Sequence, residues 1–341
     1  MSGPALASTR VDSSTSSPPN ALSESRRLDQ GWLLFLTPIL WGATFPAAKL
    51  ALRTLEAPAF MAWTRALGLL TIVVALPWMG GLGRIRPGRV ALPGLLLGGL
   101  LFTGYALQTV GLESTTATNA GFITGLYVVF TPLLALVAFR QPVRPAVWVA
   151  VLLSVIGLAL LSTETLDAFG PHAGDLLVLA SAVAWAVHVV AVGRYAPRFP
   201  IHVLAIAQLV AATGLHLIVA LPGGLQGGRA WSIAPLLLVT GVLGTGVAYT
   251  LQLVAQRELT AARAAIILSG ESLVSALLSV VWIGERLVLH QWLGAALMVG
   301  AMVLSETTAR RLAAAPFGLE PPRRLATRSP NRRGPAVRRR G

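Results

Sequence analysis

Two pairs of side chains, Tyr105 with Gln108 and Tyr249 with Gln252, put a hydroxyl and an amide one helical turn apart on one face of otherwise apolar segments. Trp41 with Thr44 and Trp185 with His188 repeat that spacing with an indole and a polar or protonatable group. Arg65 and Glu271 stand deep in further apolar segments. A central arginine in a bilayer costs roughly 2.5–3.5 kcal/mol, so each charge needs an opposite partner or a wet cavity. Asn119 and Tyr127 add an amide and a phenol to another segment. Such groups are suited to holding a polar organic solute inside a membrane rather than to making or breaking bonds. Covalent chemistry needs a nucleophile with its base, yet the chain has no cysteine, and no membrane serine has a histidine at a useful spacing. His188, His202 and His216 are scattered without the H-E-x-x-H of a zinc site, and there is no G-x-x-x-x-G-K-S/T phosphate loop. The pattern therefore implies no enzyme, no catalytic residue, no metal and no cofactor.

Each candidate also has a plainer role open to it. Arg65 and Glu271 could neutralise each other across the bundle, or Glu271 could carry a transported proton. Trp41 and Thr44 could merely pack, and His188 could donate to a neighbouring carbonyl. The two Tyr–Gln pairs could tie helices together. Lys49, the single lysine of the chain, lies within a turn of a segment end, where its ammonium can snorkel to the interface.

The elements that must position these groups are membrane-length. With 55% hydrophobic and 12% charged residues over 341 positions, the composition belongs in lipid. Apolar runs of about 18 to 23 residues suit helices crossing roughly 30 Å of hydrocarbon. Ten are expected: Trp32–Leu52, Pro58–Pro77, Ala91–Gly111, Ala117–Phe139, Val143–Leu161, Ala173–Val192, Ile201–Leu221, Ser232–Val254, Ala261–Ile283 and Leu289–Ser305. Trp41, Tyr105, Gln108, Ala120 and Trp148 recur 144 residues on as Trp185, Tyr249, Gln252, Ala264 and Trp292. One register kept across several loops points to a duplicated unit of five helices, and an odd unit turns its second copy upside down. The expected fold is all-α integral membrane, ten transmembrane helices as two inverted five-helix repeats over residues 32–161 and 173–306. Inversion would put Tyr105 and Gln108 in the outer half of the membrane and Tyr249 and Gln252 in the inner half, as two gates around a central site.

Basic loops tend to stay cytoplasmic. With the amino terminus inside, the inner loops carry Arg84, Arg86, Arg89, Arg140, Arg144, Arg194, Arg198 and Arg257, against Arg53, Arg229 and Arg286 outside. Two outer loops hold only acids: Glu113, and Glu164 with Asp167. Both termini are expected in the cytoplasm, with the protein multi-pass in the cell (inner) membrane. Residues 1–31 are rich in Ser, Thr and Pro, and residues 307–341 in Arg and Pro; both read as disordered tails without a cleavable leader. The formal charge of +14 is concentrated in that second tail and in short loops, so anionic lipid, not nucleic acid, is the expected partner.

Trp41-Gly42-Ala43-Thr44-Phe45, Gly104-Tyr105-Ala106-Leu107-Gln108-Thr109-Val110-Gly111-Leu112 and the stretch from Thr115 to Leu133 resemble the drug/metabolite transporter superfamily, in its EamA-domain branch of ten-helix permeases. Ala262-Arg263-Ala264-Ala265 leading to Glu271, and Gly284-Glu285, carry the resemblance in the second half. It covers about residues 32 to 306. The resemblance implies a central cavity lined largely by the first four helices of each half, and export of small metabolites or drugs. The residue after the mid-helix Glu is commonly Pro in that family; here it is Ser272, and Gln141 stands where the second copy has Glu285. The expected function is secondary transport of a small organic metabolite, amino acid-like or drug-like, by alternating access, with proton exchange as an option. A passive channel or a lipid-moving protein is the alternative. The candidate cavity residues are Trp41, Thr44, Arg65, Tyr105, Gln108, Asn119, Tyr127, Trp185, His188, Tyr249, Gln252 and Glu271.

Overall fold

Peptide groups that enter lipid must be paired within their own segment, and each long apolar stretch of the computed structural model is accordingly helical. The structure describes residues 32–79, 81, 87–139, 143, 145–162, 173–284 and 286–314, and these contain helices and no strand. A short 3₁₀ turn, Trp32–Phe35, leads into α1 (Leu36–Ala51); α2 (Ala57–Ala75) and α3 (Pro87–Glu113) follow. Next come α4 (Ala117–Gly125), α5 (Tyr127–Phe139), α6 (Pro145–Ser162), α7 (Ala173–Tyr195) and α8 (Ile201–Ala220). Two short helices, α9 (Gly227–Ser232) and α10 (Ala234–Leu237), precede a π-helical stretch, Leu238–Val247, that runs directly into α11 (Ala248–Ala255). The chain ends with α12 (Ala261–Leu268), α13 (Glu271–Trp282) and α14 (Leu289–Ala314).

Among the described residues seven helical stretches are long and apolar enough to cross a membrane, while Pro145–Leu160 and Leu289–Leu304 are apolar but shorter. The first expected crossing is the sixteen-residue α1. The expected first tail and residues 315–341 of the expected second lie outside the described residues, as do Arg84, Arg86, Arg140, Gln141, Arg144, Glu164, Asp167 and Glu285. α14 continues to Ala314, past the Ser305 end expected for the tenth crossing and into the expected second tail, since Ala, Leu and Arg in that stretch are strong helix formers.

α4 with α5, and α12 with α13, are broken crossings built alike. Thr116 caps α4 by accepting from the Asn119 amide at 3.0 Å, and Thr260 caps α12 by accepting from the Arg263 amide at 3.4 Å. The first ladder tightens to i→i−3 bonds at Leu126 and Val129. The second does so at Gly270 and Ser272, so the helix is interrupted just before Glu271 although Ser272 replaces the proline. The two broken crossings touch through small residues. Ser272 donates to the Gly121 carbonyl at 2.6 Å, and a Cβ on Gly125 would come within 2.6 Å of the Ser272 hydroxyl. α4 packs on α13 while α12 packs on α5.

The remaining contacts join early helices to late ones. α3 packs on α7 and α8, α2 on the π stretch, α1 on α13 and on the π stretch, and α6 on α14. The Lys49 ammonium donates to the carbonyls of Leu112 at 2.7 Å, Glu113 at 3.2 Å and Thr115 at 2.7 Å, and is held at the end of α3 and the turn after it. The carbonyls at a helix end lack intrahelical donors and carry partial negative charge, so a cation is held there. Lys49→Met is therefore expected to lower stability in detergent by about 1–2 kcal/mol, since charged hydrogen bonds contribute on that order. A melting curve identical to that of the parent would show that the cap stabilises nothing.

Candidate functional site

Six helices converge where α4 and α12 break. Trp41, Thr44 and Phe45 come from α1, Tyr105 and Gln108 from α3, Thr124 and Tyr127 from the first break. Trp185, His188 and Val189 come from α7, Tyr249 and Gln252 from α11, and Glu271 from the second break. Together they enclose one hollow with about 30 Å³ in which the centre of a water molecule can sit. A water needs roughly 10–15 Å³ on this measure, so the hollow takes a water or two and no organic solute in this conformation.

Ten of the twelve sequence candidates stand on that wall. Arg65 lies on an adjoining hollow with Phe60, Thr109 and Thr240, and that hollow shares Thr44, Phe45, Tyr105 and Gln108 with the first. Asn119 stands apart: it occupies the capped first turn of α4, and the five residue steps from it to Thr124 rise roughly 7 Å along the helix axis. Phe45, Thr124 and Val189 belong to the lining without having been selected from the sequence. Phe45 could have been, as it shares a face with Trp41 and Thr44. Thr124 and Val189 carry no local signal, since only the long-range packing of α4 and α7 brings them to the wall.

Aromatic rings hold the centre. Trp41 packs on Tyr249 at 4.9 Å between centroids, and the equivalent Trp185 packs on Tyr105 at 4.8 Å. Tyr105 and Tyr249 themselves approach to 6.2 Å. The two Tyr–Gln pairs thus meet in one cluster instead of flanking a central site as separate gates. Two long phenol side chains reaching inward from different helices span the expected gap.

The hydrogen bonds of the two tryptophans differ. Trp185 donates from Nε1 to Gln108 Oε1 at 2.7 Å. Trp41 donates from Nε1 to the Gly244 carbonyl at 2.8 Å. Gln252, the counterpart of Gln108, is fully buried with neither amide atom hydrogen-bonded. The π stretch accounts for the difference, because its wider turns bring the Gly244 carbonyl to the indole, and π segments gather at functional sites. Glycine permits the approach: a Cβ on Gly244 would fall 2.4 Å from Thr44 Cγ2.

His188 pairs with Gln208 Oε1 at 3.2 Å and is wedged against Trp185 and Tyr249. Arg65 and Glu271 do not form the expected ion pair: neither has an opposite charge within 4.0 Å among the described residues. Arg65 instead lies over the Tyr105 ring, 3.3 Å from guanidinium carbon to centroid, with Nε and Nη1 lacking hydrogen-bond partners. Glu271 faces the main hollow beside the Tyr127 hydroxyl. The helices holding the two charges pack on different neighbours, α2 on the π stretch and α13 on α1 and α4, so the side chains reach the hollow from separate walls.

A helical membrane protein with a small polar hollow closed in by aromatic rings is a protein built to handle solutes within the bilayer. The chain belongs to the EamA-like transporter family, whose model matches residues 31–163 and 172–307. It is 31% identical over 271 residues to an uncharacterized transporter of Archaeoglobus fulgidus, covering 80% of this chain and 83% of that one. It is 28% identical over 285 residues to the threonine/homoserine exporter RhtA of Escherichia coli, covering 82% and 91%. A solved crystal structure matches its fold with a TM-score of 0.68 at 22% identity, over 83% of this chain and 98% of that one.

Gly104 is what lets Trp185 lie flat on α3, since a Cβ there would meet the indole at 2.9 Å. Gly104→Val is expected to force the ring off Gln108 and lower stability by about 1–3 kcal/mol, the usual cost of overpacking. Trp185→Phe, which removes only the hydrogen bond and some area, should lower it by less. Thermal melting of both variants checks the order, and a Gly104→Val protein as stable as the parent would contradict the packing.

Proposed function

We propose that this protein is a secondary exporter of small amino acid-like metabolites, working by alternating access between two inverted five-helix repeats. The observation that carries the reading is the unequal state of two equivalent tryptophans around one hollow: Trp185 is engaged with Gln108, while Trp41 has left Gln252 unpaired. In a carrier made of inverted copies, each copy adopts in one state the conformation that the other adopts in the opposite state. The reverse state would then pair Trp41 with Gln252 and release Gln108.

Several features support the inversion. Caps at Thr116 and Thr260, breaks at Leu126 and Ser269–Gly270, and the stacks of Trp41 on Tyr249 and Trp185 on Tyr105 recur at equivalent positions. Helix contacts exchange in the same way, α3 with α8 mirroring the π stretch with α2. The amino acid-like substrate class draws on the names of the Escherichia coli and Salmonella typhimurium relatives, both threonine/homoserine exporters, and on a lining that mixes amide, hydroxyl, charge and aromatic face. Both termini are assigned to the cytoplasmic side of the cell membrane from the arginine balance of the loops, with the basic tail lying on anionic lipid. Glu271 is the carboxylate on the cavity wall and has no cation at ion-pair distance, which makes it the group able to exchange a proton for substrate.

Purified protein in liposomes is expected to give saturable counterflow of labelled threonine, homoserine or leucine, accelerated by an imposed proton gradient. Glu271→Gln should abolish the acceleration. Non-saturable flux, indifferent to substrate on the far side, would make the protein a channel. The natural absence of cysteine allows a direct topology check. Arg53→Cys should be labelled from outside intact cells and Glu258→Cys only after permeabilisation, and labelling of both from one side would remove the inverted arrangement.

A further inference from the structure

Resting on the transport reading above, we infer that Arg65 binds the carboxylate and Glu271 the ammonium of one zwitterionic substrate, so that the site selects solutes carrying both charges. Arg65 is 3% exposed and Glu271 4%, and burying either charge alone is costly. Two opposite charges in adjoining hollows would ordinarily neutralise each other. Here they do not meet, although Tyr249 lies within electrostatic reach of both.

The free hydrogen-bonding groups match the two ends of a zwitterion. At the Arg65 end the ring of Tyr105 covers the face of the guanidinium, leaving the in-plane N–H groups of Nε and Nη1 unused. Nε and Nη1 lie on different edges of the guanidinium, and each can donate a charge-assisted hydrogen bond to a carboxylate. At the Glu271 end stand the carboxylate, with the Tyr127 hydroxyl beside it, and the Gln252 amide, neither of whose polar atoms is hydrogen-bonded; the carboxylate and amide oxygens are acceptors for the N–H bonds of an ammonium. The hollows share Thr44, Phe45, Tyr105 and Gln108, so one solute can reach from one end to the other once the helices part. A lone amine would leave Arg65 unpaired, and a lone acid would leave Glu271 unpaired.

The test uses the unaltered full chain in detergent and in liposomes. L-Threonine is compared with its decarboxylated form, 1-amino-2-propanol, and its deaminated form, 3-hydroxybutyrate. L-Leucine is compared with isopentylamine and 4-methylpentanoate. The expected result is that an amino acid raises the melting temperature and competes for counterflow, while its two singly charged analogues need at least about tenfold higher concentration, a difference of about 1.4 kcal/mol. Arg65→Gln should narrow the gap between amino acid and amine and leave the gap to the acid unchanged. An amine or acid that competes as well as the parent amino acid on the unaltered chain overturns the inference, and that comparison decides even where Arg65→Gln fails to fold. Transport of a singly charged or neutral solute in preference to zwitterions removes the two-ended site and leaves a transporter. Absence of carrier flux for every class of solute removes the transport reading itself, and this inference with it.

Discussion

The contact between the two broken helices is the one on which the rest of the structure depends. α4 meets α13 where Gly121 and Gly125 leave no side chain, and the Ser272 hydroxyl donates to the Gly121 carbonyl across the gap. In lipid there is no hydrophobic drive between helices, so close packing and such hydrogen bonds carry the association. Each break also frees backbone groups that lipid cannot satisfy, and these are tolerable only where protein or a wet hollow faces them. The break therefore fixes where the hollow must be. Tyr127 and Glu271, the first residues of α5 and α13, stand at its wall because they are the residues immediately past the interruptions.

Around that crossing the aromatic cluster closes the hollow, and it does so with unequal halves. The stacks of Trp41 on Tyr249 and of Trp185 on Tyr105 are nearly equal in length, yet the indole hydrogen bonds go to different partners. The π stretch ahead of Tyr249 has no counterpart in α3, which is α-helical throughout. An i→i+5 ladder fits less tightly than an α ladder and is found in short pieces. Ten residues of it, three of them glycine, mark a segment able to change pitch without losing its backbone pairing. A pitch change there would move Tyr249 and Gln252 together, since both follow the stretch on one face of α11.

Much of this was legible from the chain because the membrane constrains it so strongly. Segment lengths, loop punctuation and the 144-residue register are properties of the sequence alone, and ten of the selected residues stand on one wall because matched polar positions in apolar helices have few places to face. The failures have a common cause. Asn119 was selected by type, but its neighbour Thr116 makes that turn a capped helix start. Arg65 and Glu271 were paired by charge, whereas the face of Tyr105 competes for the guanidinium, and depth along two helices does not say which walls they form. The Lys49 ammonium meets the carbonyls of Leu112, Glu113 and Thr115, partners some sixty residues away that its local sequence does not name. The π stretch had no signal beyond its glycines.

Ser272 illustrates how one departure from a family pattern can keep the geometry by another route. Proline breaks a helix by removing a donor and crowding the carbonyl of residue i−4. Serine does neither, yet the ladder of this crossing loosens at Ser269–Gly270 just ahead of it. The Ser269 hydroxyl takes up the Ile266 carbonyl at 2.8 Å, and glycine follows with its low helix propensity. Ser272 then supplies what proline could not, a hydroxyl donor to Gly121 on the opposite broken helix. The interruption before Glu271 is thus held by a hydrogen bond between the two crossings instead of by a fixed ring. Such a bond anchors the wall that carries Glu271 without the fixed geometry of a proline ring.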